Sequence, residues 1–130
     1  MHLTQSKPLP EQIHQLMLYP KETPIVMVNI LRFKKKIEKL NKTGKEIYSE
    51  YYEKAKVFIA KSGAKLIWKG AVASTVIGDS TNQPDLIFLV EYPTADHFLN
   101  IVSNPAYQKI AESRNIAIEY GGLIACETLK

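Results

Sequence analysis

The residue most open to chemistry is Arg114. Tyr107, Ile110, Ala111, Arg114 and Ile118 fall at i, i+3, i+4, i+7 and i+11, which places an arginine on the apolar stripe of a helix. A guanidinium on a sheet-facing stripe needs partners, because an uncompensated buried charge is costly. Two structural answers are open. One is an ion pair with Glu91 or Glu119; the other is a packed stem whose head reaches water. The chemical answer is an anion clamp, since the planar fork matches a carboxylate.

Four more residues join Arg114 as candidates for a ligand-binding wall. Tyr48 belongs to a stripe with Tyr51 and Tyr52. Tyrosines at helical spacing are core residues with a polar tip, or the wall of an aromatic pocket. Trp68 carries the same two readings. Asn29 interrupts an apolar strand, so its amide is expected to meet a specific partner, structural or substrate. Arg32 lies three residues on. A side-chain period of two sends Asn29 and Arg32 to opposite faces. Only one of them shares a side with Arg114, unless the other reaches round an edge. No catalytic residue is assigned. His2, His14 and His97 lack metal-site spacing, so neither a metal nor a cofactor is expected. His97 is expected to be exposed and Cys126 to be a buried, inert thiol. A phosphate-binding glycine loop and a hydrolase elbow are both absent from the sequence.

These side chains need a frame, and the apolar pattern supplies one. Residues 1–24 read as an N-terminal extension, with Pro8, Pro10 and Pro20 around a short helix that aligns Ile13, Leu16 and Met17. Residues 25–130 read as one domain. Ile25 to Phe33 is a strand covered on both faces. Thr43 and Glu46 form a capping box for a helix that carries the tyrosines and ends at Gly63. Lys65 to Ile77 reads as a long strand interrupted at Gly70. Its length predicts either a bend there or a strand that passes its own sheet to meet another subunit. Gly78 to Pro84 is a turn, and Leu86 to Tyr92 returns antiparallel. Thr94 caps a short helix, and Asn104-Pro105 starts another that runs to about Glu119 and stops at Gly121-Gly122. Leu123 to Leu129 is the last strand.

The order is βαββαβ: an α+β, ferredoxin-like fold with a four-stranded antiparallel sheet. Its helices cover one face. The other face is also apolar, with Val26, Val28, Ile30, Ile87 and Leu89. A second copy is the simplest cover, so a homodimer of the dimeric α+β barrel type is expected.

Composition narrows the function classes. The chain has 130 residues, 45% apolar and 23% charged, enough for one core. A single cysteine forbids an intrachain disulfide and fits a reducing compartment. The start has no secretory pattern, and no apolar run approaches the ~20 residues of a membrane span. A cytoplasmic location without membrane association is expected. The net charge of +4 is concentrated between Arg32 and Lys45, where seven basic residues face only Glu38. That stretch is a solvated loop, or a rim that attracts an anionic ligand. No aromatic residue interleaves its lysines after Phe33, so nucleic acid is not an expected partner.

Taken in order, several stretches resemble a known family. They are Asn29-Ile-Leu-Arg-Phe33, Gly44 with Tyr48, Trp68-Lys-Gly70, Ile77-Gly78, Asp85, Tyr92-Pro93, Tyr107, Arg114, Ala117-Ile-Glu119 and Leu123-Ile124. The sequence resembles the domain of unknown function 1330 family, within the dimeric α+β barrel superfamily, over residues 25–128. Two positions depart from it: Pro84 stands where the family often has Trp, and Tyr120-Gly121-Gly122 where it often has Asp-Ser-Arg. The resemblance implies the fold and the dimer. Superfamily relatives include cofactor-free monooxygenases, isomerases and haem enzymes, and fold alone does not choose among them. Two functions are carried forward. One is binding or transformation of a small anionic or aromatic metabolite between helices and sheet. The other is a non-catalytic dimeric scaffold whose polar residues are purely structural.

Overall fold

Seven of the nine residues in Ile25–Phe33 are apolar, which suits a strand with neighbours on both sides and layers on both faces. In the computed structural model, which describes residues 7–130, this segment is β1 and lies inside the sheet. His2 lies outside the described residues. β1 pairs with β3 (Leu86–Tyr92) on one side and with β4 (Ile118–Cys126) on the other, while β2 (Lys65–Ala71) flanks β3. Every pair is antiparallel. The order β2-β3-β1-β4 is the ferredoxin-like arrangement. α2 (Gly44–Lys61) crosses from β1 to β2, and α3 (Ala95–Val102) and α4 (Pro105–Ala117) link β3 to β4. α1 (Pro10–Met17) precedes the sheet. Among the described residues, no helix is long and apolar enough to cross a membrane.

The period of two divides β1. Ile25, Met27, Asn29 and Leu31 share the helix side. Val26, Val28, Ile30 and Arg32 share the outer side. Ile25 and Leu31 are fully buried. They pack with Phe88, Val90 and Tyr92 of β3 and with Ile47, Tyr48, Tyr51 and Ala55 of α2. Local signals place the helices as expected. Thr43 Oγ1 accepts from the Glu46 amide at 3.1 Å while Glu46 Oε1 accepts from the Thr43 amide at 2.9 Å, so both arms of the capping box are made. Asn104 Oδ1 accepts from the Ala106 amide at 2.9 Å, with Pro105 as the first helical residue. Gly63 follows α2 at φ 81°, the left-handed value that favours glycine.

Four expectations are corrected. β2 stops at Ala71, and its irregularity falls between Leu66 and Trp68 rather than at Gly70. Gly70 instead leaves room for the Trp68 ring, whose Cζ2 would stand 2.6 Å from a Cβ at position 70. The Val72 amide still bonds the Asp85 carbonyl at 3.0 Å. The chain then leaves the sheet, and Val76 and Ile77 are 88% and 95% exposed. Second, α4 ends at Ala117 and the last strand begins at Ile118. Gly121 and Gly122 are strand residues opposite Leu31 and Ile30, because β4 pairs with β1 from Val26 to Phe33. Third, Cys126 is exposed. Fourth, His97 is half-buried, with Nδ1 2.6 Å from Thr94 Oγ1. In α1, Ile13 and Leu16 are half-buried and Met17 is exposed, so two of the three aligned residues pack.

Three segments meet at Gly44. Its amide donates to the Lys34 carbonyl at 2.8 Å, and the Lys34 amide donates to the Ala117 carbonyl at 2.9 Å. A Cβ on Gly44 would sit 2.7 Å from the Lys34 nitrogen and closer still to the Ala117 oxygen. The atoms in the way are backbone, so they cannot rotate aside. Gly44→Ala is therefore expected to destabilise the fold by about 3 kcal/mol or more. Gly122→Ala, where the nearest atom lies at 3.6 Å, changes stability by less than about 1 kcal/mol. Urea unfolding of both variants checks the contrast.

Candidate functional site

The helices leave part of the inner sheet face uncovered. Leu123 lies on that face opposite Asn29 and is 40% exposed, and Ala125, opposite Met27, is also exposed. A cleft of about 1490 Å³ opens there, between the sheet and helices α1, α2 and α4, with α3 at one end. Asn29, Tyr48 and Arg114 all line it. Asn29 is the strand residue that shares a side with Arg114. Its amide nitrogen donates to the Met27 carbonyl at 3.3 Å.

Arg114 reaches the sheet through the space left by a glycine. A Cβ on Gly121 would lie 2.6 Å from Arg114 Nη2. Its charge is felt by two phenols of α2, Tyr48 and Tyr51. Burial dominates both and pushes them far above the ordinary tyrosine value, with the guanidinium pulling the other way. Both phenols are neutral at physiological pH, as an ordinary tyrosine with a pKa of about 10 also is. The hydroxyls of Tyr51 and Tyr107 are 2.7 Å apart. The rings form a continuous series, Phe33 to Tyr48 at 5.4 Å, Tyr48 to Tyr51 at 5.2 Å and Tyr51 to Tyr107 at 6.4 Å between centroids. The arrangement is one cation beside neutral hydroxyls, in an aromatic wall. It can hold an anionic or carbonyl oxygen and an apolar body.

Arg32 and Trp68 are not in this wall. Arg32 projects from the outer face, where Nε lies 3.0 Å from Glu119 Oε2 and Nη1 donates to the Thr81 carbonyl at 3.1 Å. Glu119 is one of the two residues considered as ion-pair partners for Arg114. The other, Glu91, stands opposite Val26 on the outer side of the sheet. Trp68 stands opposite Leu89 on the outer face and is 54% exposed. The basic loop is elsewhere too. Lys34, Lys35, Lys36 and Lys39 are exposed, Lys42 pairs with Glu50 at 2.7 Å, and none of the loop lysines lines the cleft. Tyr107 and Gly121 were not among the candidates. Tyr107 lies two turns before Arg114 on the same stripe, which is a readable signal. Gly121 reads as a helix stop until the strand register is known. Among the described residues, no group of three His, Cys, Asp or Glu side chains could hold a metal ion.

The model of a family of domains of unknown function, DUF1330, matches residues 36–127. The chain is a DUF1330 protein. The matched region includes Tyr48, Trp68, Tyr107 and Arg114 but begins after β1, so the Asn29–Phe33 part of the resemblance lies outside it. No curated protein matches this DUF1330 chain. Among solved structures, a Rhodopseudomonas palustris protein of unknown function is 28% identical. It covers 99% of this chain and 98% of its own length, with a TM-score of 0.89. A dimeric Bacteroides fragilis protein of unknown function and ferredoxin-like fold is 9% identical over 84% of this chain and 100% of its own, with a TM-score of 0.55. SnoaB, a cofactor-independent oxygenase of Streptomyces nogalater, is 12% identical over 82% and 96%, with a TM-score of 0.51. The last two share the fold with the DUF1330 chain.

The buried phenols set an alkaline limit. Burial raises Tyr48, Tyr51 and Tyr92 above the ordinary tyrosine value of about 10 in the folded state. The unfolded chain releases those protons first, so the contribution of these phenols to stability is level below about pH 10 and falls above it. Tyr48→Phe is expected to make that fall shallower. Chemical unfolding measured at a series of alkaline pH values checks this; identical slopes in both proteins would contradict it.

Proposed function

We propose that this protein is a homodimer that binds a small anionic metabolite in the cleft, with Arg114 as the anchor. The observation that carries the reading is the seat of the Arg114 head on Gly121, beside two buried and neutral phenols. A guanidinium fork gives a carboxylate two parallel hydrogen bonds. Tyr48 and Tyr51 lie on the same wall, and Tyr107 holds Tyr51 through its hydroxyl. Their rings accommodate an apolar or aromatic body. Because these phenols stay protonated, they donate and accept hydrogen bonds but do not act as bases at neutral pH. Binding, not a named reaction, is what this arrangement supports.

Support for the dimer comes from the outer sheet face. Val28, Ile30, Ile87 and Leu89 are half-buried there, while Trp68 and Ile124 are 54% and 53% exposed. A contiguous apolar sheet face of this kind suits a self-complementary interface. The Bacteroides fragilis neighbour is itself described as dimeric.

Thermal-shift measurements with 4-phenylbutyrate and its neutral amide test the anchor. The acid is expected to stabilise the protein and the amide to do so far less. Arg114→Gln should weaken the acid roughly ten- to a hundredfold, the scale of about 1.5–3 kcal/mol for a hydrogen bond to a charged group. Arg114→Lys, which retains the charge, should recover part of it. An equal response to acid in wild type and Arg114→Gln would leave the scaffold reading instead. For the dimer, light scattering should give twice the chain mass for wild type and a monomer mass for the double variant Trp68→Asp with Ile124→Asp. A monomeric wild type at micromolar concentration sinks the dimer.

A further inference from the structure

We infer that the tip of the β2–β3 connection, Val76 and Ile77, is a docking arm that packs on the outer sheet face of a second copy of this chain. This rests on the homodimer reading above and adds the contact that fastens the pair.

The arm is long and held at its root. Residues 72–85 join two adjacent antiparallel strands, where roughly two to five residues would serve. A connection of that length is functional or loose as a rule, and this one is braced. Asp79 Oδ1 accepts from the Thr81 amide at 3.0 Å and from the Thr81 hydroxyl at 2.5 Å. Thr75 Oγ1 donates to Gln83 Oε1 at 2.8 Å, which ties the outgoing limb to the returning one. The returning limb is fastened to the sheet. Arg32 Nη1 donates to the Thr81 carbonyl at 3.1 Å, and the Tyr120 hydroxyl donates to the Asn82 carbonyl at 2.8 Å. The Asp85 amide donates to the Leu31 carbonyl at 2.7 Å, and the Asp85 carboxylate accepts from the Phe33 amide at 2.8 Å. Arg32 and Tyr120 stand opposite each other on the outer face. The arm is therefore rooted on that side, across the ends of β1 and β4.

Beyond the Thr75–Gln83 tie, Val76 and Ile77 are 88% and 95% exposed. Gly78 then turns the chain at φ 132°, a value that residues with a side chain rarely adopt. A lone exposed apolar residue is ordinary. Two adjacent β-branched ones at the apex of a braced loop, with almost no cover from their own chain, are suited to a partner.

Charge, side and reach point to a second copy. Residues 72–78 carry no charge, and neither do Val28 and Ile30 of β1 or Ile87 and Leu89 of β3 on the outer face. The arm's root lies on that same face, so the tip continues the interface proposed above. The Val72 amide still bonds the Asp85 carbonyl, and Ile77 is five residues further on, a reach of up to roughly 16 Å. Sheets packed face to face stand about 10 Å apart. The arm is long enough to cross that gap, and a two-fold axis makes the contact twice.

Analytical ultracentrifugation over a dilution series tests this on wild type and on the double variant Val76→Ser with Ile77→Ser. Both positions are exposed, so the circular dichroism spectrum should be unchanged. The dimer dissociation constant should rise at least about a hundredfold, because four aliphatic side chains per pair lose their burial. A second measurement locates the contact. Ile77→p-benzoylphenylalanine should give, on irradiation, a covalent dimer whose cross-linked peptide lies in the strands of the other chain. A serine variant that associates as tightly as wild type overturns the arm and leaves the face-to-face dimer standing. Cross-links confined to helices, or no cross-linked dimer, overturn its seat on the sheet. A wild type that is monomeric throughout overturns both this inference and the homodimer reading beneath it.

Discussion

Gly44 has no room for a methyl group, and the position of the cleft follows from that. The end of β1, the start of α2 and the end of α4 converge there, joined by Gly44 to Lys34 and Lys34 to Ala117 backbone hydrogen bonds. Backbone against backbone is the least adjustable contact a protein has. One turn after Gly44 along α2 comes Tyr48. Three residues before Ala117 along α4 comes Arg114. The phenol and the guanidinium that face each other in the cleft are thus carried on helices anchored at one point. Their relative placement is set by two short lengths of rigid helix rather than by flexible loops.

The rest of the site follows from how burial treats different polar groups. A buried phenol is costly only if its hydroxyl lacks a partner, and Tyr51 finds one in Tyr107. A guanidinium cannot shed its charge, and half-buried Arg114 lines the cleft. Arg32 lies on the other face of the sheet. Its charge is answered by Glu119 and the Thr81 carbonyl at the protein surface. The two arginines are therefore unlike in setting: one ties a loop to the sheet, the other faces the cleft.

Much of this was legible in the sequence, because periodicity survives folding. The capping box at Thr43, the Asn104-Pro105 start and the six-element order are local signals that tertiary packing reinforced. The parity of Asn29 and Arg32 was legible as well, although parity separates two faces without saying which one the helices cover. The glycines were misread for a physical reason. A glycine can mark a helix end, a bulge or a close approach, and the chain around it looks similar in each case. Gly70 and Gly121 proved to be close approaches, to the rings of Trp68 and the head of Arg114. Only the strand register, a long-range property, reveals that. Trp68 stood as a candidate because an aromatic residue on a strand fits a pocket wall as well as an outer sheet face, and the bulge at Leu66 and Trp68 shifts the phase on which the choice depends.

The two margins of the sheet are built differently. Along β2, Lys65 and Lys69 place like charges at the edge, which discourages another strand from adding to it. Along β4, the stretch from Tyr120 to Cys126 carries no charge at all, and its inner side chains are the open floor of the groove. The margin beside the cleft is thus the margin least defended against a foreign strand. Under the proposed binding, a ligand in the groove would also shield this margin from a foreign strand.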